Sequence, residues 1–296
     1  MVARVIKRNT KTIIAEANDK EFECSLRGKL KQKNSDILVG DFVEINEKTL
    51  SVEKVVSRKN KLIRPLVSNV DQIFIVVSNE PTPDFLLVDQ MIISANELGI
   101  SVYIVVNKED LISKEFEQQV KADYNKVVKK VIVTSAKLGT GIEELKKYLD
   151  NKMSVLVGQS GVGKSSLINS LVNKNVQTEG ELSSKISRGV NTTRYNKVFS
   201  VDAGLVIDSP GFSAISLGTI DPRDLASKYT DFAQYSKNCE YRTCDHIHNQ
   251  NCGIKAAVEN GRLSERRYKR YILLFEKYFD MWQNRYRHRK TKENKK

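Results

Sequence analysis

The segment GQSGVGKSS at residues 158–166 has the residue types and spacing of a phosphate-binding loop. It follows an apolar run, MSVLV, and precedes a helix-like segment, SSLINSLV. Glycines let such a loop curl with its N–H groups inward, the lysine reaches the β and γ phosphates, and the final serine hydroxyl ligates magnesium. The predicted nucleotide-binding residues of this loop are Gly158, Gln159, Ser160, Gly161, Val162, Gly163, Lys164, Ser165 and Ser166.

A second polar segment, NKED at 107–110, follows the apolar run VYIVV. The carboxyl end of a strand is where α/β sheets bind ligands. A carboxylate here can accept hydrogen bonds from guanine N1–H and from its exocyclic amine, which adenine does not offer, and a lysine can lie over the purine. Thr134-Ser135-Ala136 follows the next apolar run, KVIV, and is similar to a companion loop that supports the base through backbone N–H groups. The predicted guanine-selecting residues are Asn107, Lys108, Asp110, Ser135 and Ala136.

The segment VIDSPGFS places Asp208 at a strand end, where it could hold magnesium through water, and Gly211 where its N–H could meet the γ-phosphate. Upstream, a polar stretch at 178–194 is long enough for a switch loop with a magnesium-ligating threonine. We assign that role to Thr193, with Thr192 as the alternative. The predicted catalytic set is Lys164, Ser165, Thr193, Asp208 and Gly211.

Phe212 follows Gly211, at the place where Ras-like proteins carry the glutamine that orients the attacking water. A phenyl ring can neither transfer a proton nor donate a hydrogen bond to water. Hydrolysis would therefore need another group of this chain, or a group supplied by a partner.

The order of these motifs is unusual, because the base-reading segments precede the phosphate loop, the switch threonine and DSPG. In a conventional GTPase the last three come first. The sequence therefore predicts a circular permutation, in which the same sheet is kept and the chain ends are moved to other surface positions.

Three of the four cysteines lie close together in NCEYRTCDHIHNQNC, and their clustering is typical of a metal site rather than of a disulfide framework. Three thiolates and one imidazole suit a closed, structural zinc site. The thiolates would come from Cys239, Cys244 and Cys252, and the imidazole from His246 or His248. We expect the zinc to replace a hydrophobic core that this polar segment is too short to build.

The hydrophobic pattern divides the chain into three regions. Residues 1–66 contain short strand-like runs with period-two alternation, which predicts a small all-β barrel. Residues 67–222 alternate apolar runs with helical patterns, which predicts a parallel sheet covered on both faces. Residues 223–296 are polar and cysteine-bearing, then helical and basic.

Composition favours a core-forming protein with a polyanionic partner. The formal net charge is +13 and the pI about 9.4, which points to nucleic acid. The basic segments 264–271 and 285–296 are candidates for that surface, and the aromatic residues among them could either stack on bases or pack within a helix: Tyr268, Tyr271, Trp282 and Tyr286. We see no apolar run long enough for a membrane span and no signal core, so we expect a cytoplasmic protein without a membrane partner, as a monomer.

Taken together, the permuted motif order, GQSGVGKSSLIN, DSPGF, the VGDFVEI segment and the cysteine cluster resemble the ribosome small subunit-dependent GTPase A (RsgA) family. The resemblance covers essentially the whole chain. It implies an N-terminal OB-fold barrel that binds RNA, a circularly permuted P-loop GTPase α/β domain and a helical zinc-binding C-terminal domain. The family pattern also favours His246 as the fourth zinc ligand.

The same resemblance implies GTP hydrolysis to GDP and phosphate with Mg²⁺, stimulated by the small (30S) ribosomal subunit and its rRNA, and a role in late subunit maturation. One position departs from the family, since Asn191 stands where a histidine proposed to assist hydrolysis is common. The alternative function is an RNA-binding module whose nucleotide is structural, which Phe212 and Asn191 favour and the intact magnesium set opposes. A P-loop ATPase or small-molecule kinase is a third hypothesis, which NKED opposes.

Overall fold

The computed structural model describes residues 1–172, apart from residues 10, 19, 27–36 and 64, together with residues 197–208 and 220–293. The N-terminal part is a closed barrel with the strand order β1-β2-β3-β5-β4. Its strands are β1 (Val2–Arg8), β2 (Thr12–Ala17), β3 (Lys20–Leu26), β4 (Phe42–Asn46) and β5 (Ser51–Val55). Pairing of β1 with β4 closes the barrel, and β3 with β5 is the parallel pair.

Alternation along these strands explains the barrel. Val5, Ile13, Cys24 and Val43 are fully buried and point into one core, while their neighbours in sequence face outward. The predicted OB-like barrel is confirmed, and β1, β2, β3 and β4 show the alternation on which the prediction rests.

The central sheet has the order β10-β9-β8-β11-β13-β12. A two-stranded hairpin, β6 (Lys61–Leu62) with β7 (Val67–Ser68), precedes it. The strands of the sheet are β8 (Gln72–Val77), β9 (Ser101–Val106), β10 (Lys130–Val133), β11 (Met153–Val157), β12 (Lys197–Val201) and β13 (Gly204–Asp208). All pairings in it are parallel except that of the edge strand β12 with β13.

Helices cover both faces of this sheet, so its inner strands are mainly apolar and β8 and β11 are buried at every position. The helices are α1 (Phe85–Glu97), α2 (Lys114–Tyr124), α3 (Ile142–Leu149) and α4 (Lys164–Val172). Val88 and Val120 of α1 and α2 pack on one face, and Leu145 and Leu167 of α3 and α4 on the other. The predicted permuted α/β domain is confirmed in this arrangement.

The C-terminal part is helical. Its helices are α5 (Leu225–Lys228), α6 (Ala233–Ser236), α7 (Gly253–Glu259) and the long α8 (Glu265–Glu293). The 3-10 turns Pro222–Asp224 and Thr230–Phe232 lie directly before α5 and α6. Its core is aromatic, with Tyr229, Phe232 and Tyr271 almost fully buried. We expected zinc to replace a core here, but the cysteine loop packs on this aromatic core. Among the described helices, none combines the length and the apolarity needed to cross a membrane.

Candidate functional site

The phosphate loop connects the end of β11 to the start of α4, at the carboxyl edge of the sheet. Gly158 and Gly163 are fixed by close approach: a Cβ on Gly158 would lie 2.4 Å from the Val76 carbonyl oxygen, and one on Gly163 would lie 2.4 Å from Asn107 Nδ2. Gly163 also has φ +93°, in the region that favours glycine. Any side chain at these positions would push the loop away from its neighbours.

Lys164 opens helix α4 and lies inside the loop. Its ammonium donates to the carbonyl oxygens of Gly158 at 2.7 Å and Gln159 at 2.9 Å. Burial lowers the pKa of Lys164, while the nearby carboxylate of Asp208 acts in the opposite direction. The lysine is thus held where a cation can meet phosphate oxygens at a helix N-terminus.

The magnesium side is described in part. Ser165 and Ser166 are exposed on the first turn of α4, and Asp208 ends β13 in register with Leu156 of β11. Asp208 is near enough to Lys164 to influence its pKa, as expected for two groups at one phosphate site. Five residues of this side lie outside the described part of the chain: Asn191, Thr192, Thr193, Gly211 and Phe212.

Asn107 joins the base-reading segment to the phosphate loop. Its buried side-chain amide donates to the Val162 carbonyl at 2.9 Å. Its oxygen accepts from the Thr134 hydroxyl at 3.1 Å and from the Ala136 N–H at 3.3 Å. One side chain therefore holds three loops from β9, β10 and β11 in a fixed arrangement. The sequence marked Asn107 as a base reader but did not reveal this linking role.

Asp110 is oriented by the companion loop. Its Oδ1 accepts from the Ser135 hydroxyl at 2.7 Å, and its Oδ2 lies 3.8 Å from the Lys137 ammonium. The hydrogen bond from Ser135 is the main reason why the pKa of Asp110 is below its ordinary value. Ser135 Oγ in turn accepts from the Leu138 N–H at 3.1 Å. Asp110 is thus held as an oriented carboxylate, the form that accepts from guanine.

Lys108 has φ +65° and donates through Nζ to the Glu80 carbonyl at 2.8 Å. Glu80 belongs to the loop after β8, whose Pro81 also lies against Gly161 of the phosphate loop. This loop is a part of the site that the sequence did not indicate, because its contact with Lys108 is made by backbone rather than by a motif side chain.

The cysteine cluster brings the four predicted ligands together, with their ligand atoms all within 4.8 Å of one another. His246 Nδ1 lies 3.5 Å from Cys239 Sγ and 3.4 Å from Cys252 Sγ. His248 is exposed and pairs with Asp245 at 2.6 Å instead. Three sulfurs and one nitrogen converging in this way fit a structural zinc ion.

Protonation is consistent with that fit. Burial lowers the pKa of His246, which favours the neutral imidazole that a metal requires. Burial raises the pKa of the Cys244 thiol to about 12, so a metal cation is the natural means of holding it as a thiolate. Zinc bound here would be fully ligated by the protein and would serve structure rather than catalysis.

Two tyrosines of α8 hold the cysteine loop. The Tyr268 hydroxyl donates to the His246 carbonyl at 2.6 Å, and the Tyr271 hydroxyl to the Asp245 carbonyl at 2.6 Å. His246 itself has φ +61°, so its backbone needs such support. Base stacking and packing within the protein were both considered for these rings. Tyr268 and Tyr271 are used for packing within the protein.

The basic segment 264–271 was also expected to offer a nucleic-acid surface, and for two of its arginines this is wrong. The side chain of Arg267 is only 3% exposed and that of Arg270 11%. Both guanidinium groups bind buried aspartates, because the aromatic core of the C-terminal part packs them against α1 and α2. These arginines therefore lie in a buried contact between α8 and the helices α1 and α2, not on a solvated surface.

These features define a class of protein: a circularly permuted GTPase with a barrel before its nucleotide-binding sheet and a zinc-type cluster after it. The RsgA GTPase family matches residues 54–218. The chain belongs to the RsgA GTPase family, and it is a GTPase that uses GTP with Mg²⁺.

Relatives support this assignment over nearly the full length. The chain is 39% identical over 264 residues to the small ribosomal subunit biogenesis GTPase RsgA of Alkaliphilus metalliredigens, covering 87% of this chain and 90% of that protein. It is 37% identical over 275 residues to the protein of the same name from Thermotoga maritima, covering 90% and 92%.

Solved structures agree. The crystal structure of YjeQ from Thermotoga maritima matches with a TM-score of 0.78 and 32% identity, covering 94% of this chain and 98% of that one. YloQ, described as a circularly permuted GTPase, matches with a TM-score of 0.77 and 28% identity, covering 95% of both chains. The chain thus shares its fold with both solved structures over nearly its whole length.

Proposed function

We propose that this protein hydrolyses GTP to GDP and phosphate on the small ribosomal subunit and acts in late maturation of that subunit. The observation that carries the proposal is the link made by Asn107, whose amide ties the base-reading loop to the phosphate loop at Val162. A pocket that reads guanine and holds phosphate at once has the form required of a GTPase. The ribosomal subunit is proposed as partner because the relatives named above are small ribosomal subunit biogenesis GTPases.

We assign the site residues as follows. The loop at 158–166 cradles the phosphates, with Lys164 as their cation and Ser165 as a magnesium ligand. Asp110 reads guanine while Ser135 and Ala136 support the base. Asp208 holds magnesium through water, and Thr193 and Gly211 complete the γ-phosphate side. Support comes from the convergence of Lys164, Asp208, Asn107 and Asp110 at one edge of the sheet.

Neither Phe212 nor Asn191 can act as a base near neutral pH. We therefore propose that the ribosomal subunit completes the arrangement around the attacking water. In this view the subunit is an activator, and the isolated protein turns over slowly. The group that activates GTP hydrolysis would then belong to the bound ribosomal subunit rather than to this chain.

We propose boundaries near residues 66 and 222 for three domains: 1–66, 67–222 and 223–296. The last barrel strand ends at Val55, the central sheet begins at Gln72, and Asp221 caps the first turn of the C-terminal part. The barrel and the basic end, 285–296, are proposed to contact rRNA. The protein would work as a monomer in the cytoplasm, where its ribosomal partner is assembled.

The experiment that tests the function is a turnover assay with GTP and with ATP, each with and without purified small subunits. We expect slow GTP turnover alone, strong stimulation by small subunits and negligible ATP turnover. Comparable ATP turnover would exclude guanine selection. GTP binding without turnover under any condition would instead favour the RNA-binding module with a structural nucleotide.

A further inference from the structure

Two buried carboxylates lie where the GTPase helices meet the C-terminal helix. Asp89 is in α1 and Asp123 is in α2, and both side chains are completely inaccessible to solvent. A buried carboxylate that loses its cation is strongly destabilised. The partners of these two aspartates therefore determine which arrangements of α1 and α2 are accessible to the folded protein.

Those partners come from α8. Arg267 Nη1 lies 2.5 Å from Asp89, and Arg266 Nη2 lies 2.9 Å from Asp123. Arg270 reaches both, with its Nε 2.6 Å from Asp89 Oδ2 and its Nη2 3.4 Å from Asp123 Oδ2. Its guanidinium also lies 5.6 Å from the ring centroid of Tyr124. Arg270 is thus a bridge between α1 and α2.

Both helices start at loops that line the nucleotide site. The cap residue of α1, Asp84, follows the loop whose Glu80 carbonyl accepts from Lys108. The cap residue of α2, Ser113, follows the base-reading segment, where the Lys108 carbonyl accepts from the N–H groups of Leu111 and Ile112. A shift of α1 against α2 would therefore move two walls of the site relative to each other.

We propose that Arg270 is a positioning residue for guanine-nucleotide binding, which fixes α1 and α2 through Asp89 and Asp123 and ties both to the zinc-bearing C-terminal part. The inference rests on the proposed assignment of 107–110 as the base-reading segment. Coupling of this kind is reciprocal: if the C-terminal helix supports the nucleotide site, nucleotide must stabilise the C-terminal helix.

Reciprocity can be tested on the unaltered full-length protein. Hydrogen exchange of peptides from 265–284 is measured with and without GDP and Mg²⁺, at concentrations where a titration with fluorescent GDP shows saturation. We expect exchange in this stretch to slow when GDP binds. Equal exchange in the two states, with binding verified, would overturn the inference. A failure of GDP to bind at all would remove the proposed function and the inference with it.

A matched pair of variants gives the second test. Lys269 is exposed, and its one ion pair with the described residues runs along the helix to Glu265 at 2.8 Å. Lys269→Met is therefore the control for Arg270→Met. We expect Arg270→Met to weaken GDP binding about fivefold or more, with Arg270→Lys restoring part of the loss. Equal GDP affinity in Arg270→Met and Lys269→Met would refute the role. If Arg270→Met does not fold, as judged by circular dichroism, the exchange experiment on the unaltered protein decides.

Discussion

At the scale of single residues, Asn107 and Asp110 divide the work of one short motif. The Asn107 side-chain amide holds neighbouring loops through one donor contact and two acceptor contacts. Asp110 is left to face the ligand, with Ser135 fixing one of its oxygens. If Asp110 reads guanine, as proposed, selection depends on a carboxylate whose orientation is already set by Ser135 in the protein without nucleotide.

Asp110→Asn should change the preferred base from guanine to xanthine. The Ser135 hydroxyl can still donate to the amide oxygen, which would leave the amide N–H₂ facing the base. That donor pairs with the C2 oxo group of xanthine, whereas it meets the exocyclic amine of guanine. We expect the ratio of GDP to XDP affinity to fall by at least about tenfold, since mispairing at a buried polar group costs about 1–3 kcal/mol.

Glu109→Gln is the control for that change, because Glu109 is the adjacent acid and is exposed. Competition binding of GDP and XDP to both variants is the measurement. An Asp110→Asn protein with unchanged guanine preference would show that Asp110 does not read the base.

Lys164→Ala and Ser165→Ala should each reduce GTP turnover by about a hundredfold or more. The first removes the cation inside the phosphate loop, and the second removes the proposed magnesium ligand. Losses of this size are typical of removing one electrostatic contact to a transition state. Ser165→Ala should in addition require more magnesium, which a magnesium titration of turnover measures.

Asn169→Ala, on the exposed side of the same helix, controls for general damage to α4. Full activity of Ser165→Ala at limiting magnesium would contradict the assigned role of the serine.

At the scale of elements, the cysteine loop and α8 form one structural unit. The loop supplies the metal ligands, and α8 supplies the two tyrosine hydroxyls that hold the loop backbone. The buried face of α8 also carries the arginines that meet α1 and α2. Zinc bound to the loop is therefore connected to the GTPase part through one helix.

His246→Ala should abolish stoichiometric zinc binding and loosen the C-terminal part. The remaining three thiols would lose their shared cation, and the pKa of Cys244 would keep its thiol protonated near neutral pH. Measurement of one zinc per chain by elemental analysis, with thermal unfolding in parallel, tests this. Treatment of the unaltered protein with a strong chelator should give the same loss of stability.

His248→Ala is the matched control, because this exposed histidine pairs with Asp245 outside the cluster. We expect it to retain zinc. Retention of zinc in His246→Ala together with its loss in His248→Ala would reverse the assignment of the fourth ligand.

Most strands and all motifs of this protein could be predicted from the sequence because each depends on a short, local pattern of residues. Continuous apolar runs identified β8, β9, β10, β11 and β13, and alternation identified the barrel. The edge strand β12 went unpredicted, since its sequence KVFSV is short and its pairing with β13 depends on a hairpin through residues 202–203.

The arginines of α8 were misread for a different reason. In sequence, ERRYKRY is a cationic stretch, and its partners Asp89 and Asp123 are more than one hundred and forty positions away. Periodicity places Arg267, Arg270 and Tyr271 near one helix face but does not say whether that face meets water or protein. Whether this face is solvated or carries buried ion pairs is decided only by the packing of α8 on α1 and α2.

At the scale of the whole molecule, the permutation moves the chain ends without changing the sheet. The barrel precedes β8 in the chain, and the C-terminal part follows β13. Helix α8 of the C-terminal part packs against α1 of the GTPase part. The C-terminal part is thus connected to the GTPase part by the chain itself and by the contacts of α8 with α1.

The last prediction concerns activation by the small subunit. Phe212 and Asn191 leave the isolated protein without an evident group to position the attacking water, so we expect slow basal turnover and strong stimulation. The basic end, 285–296, has seven Lys or Arg residues and should provide much of the docking. Each phosphate contact releases counterions, so stimulation should fall by on the order of a thousandfold between about 50 and 200 mM salt if about six contacts form.

Deleting 285–296 should weaken docking and flatten the salt dependence while leaving basal turnover unchanged, because no nucleotide motif lies there. A variant with the same twelve residues in shuffled order keeps the charge and is the control, since counterion release depends on charge more than on sequence. Turnover is titrated with small subunits at several salt concentrations for all three proteins. Fast turnover without small subunits would contradict the need for an activator. If the stimulation of GTP turnover did not change with salt concentration in either the intact or the shortened protein, electrostatic docking through the basic end would be contradicted.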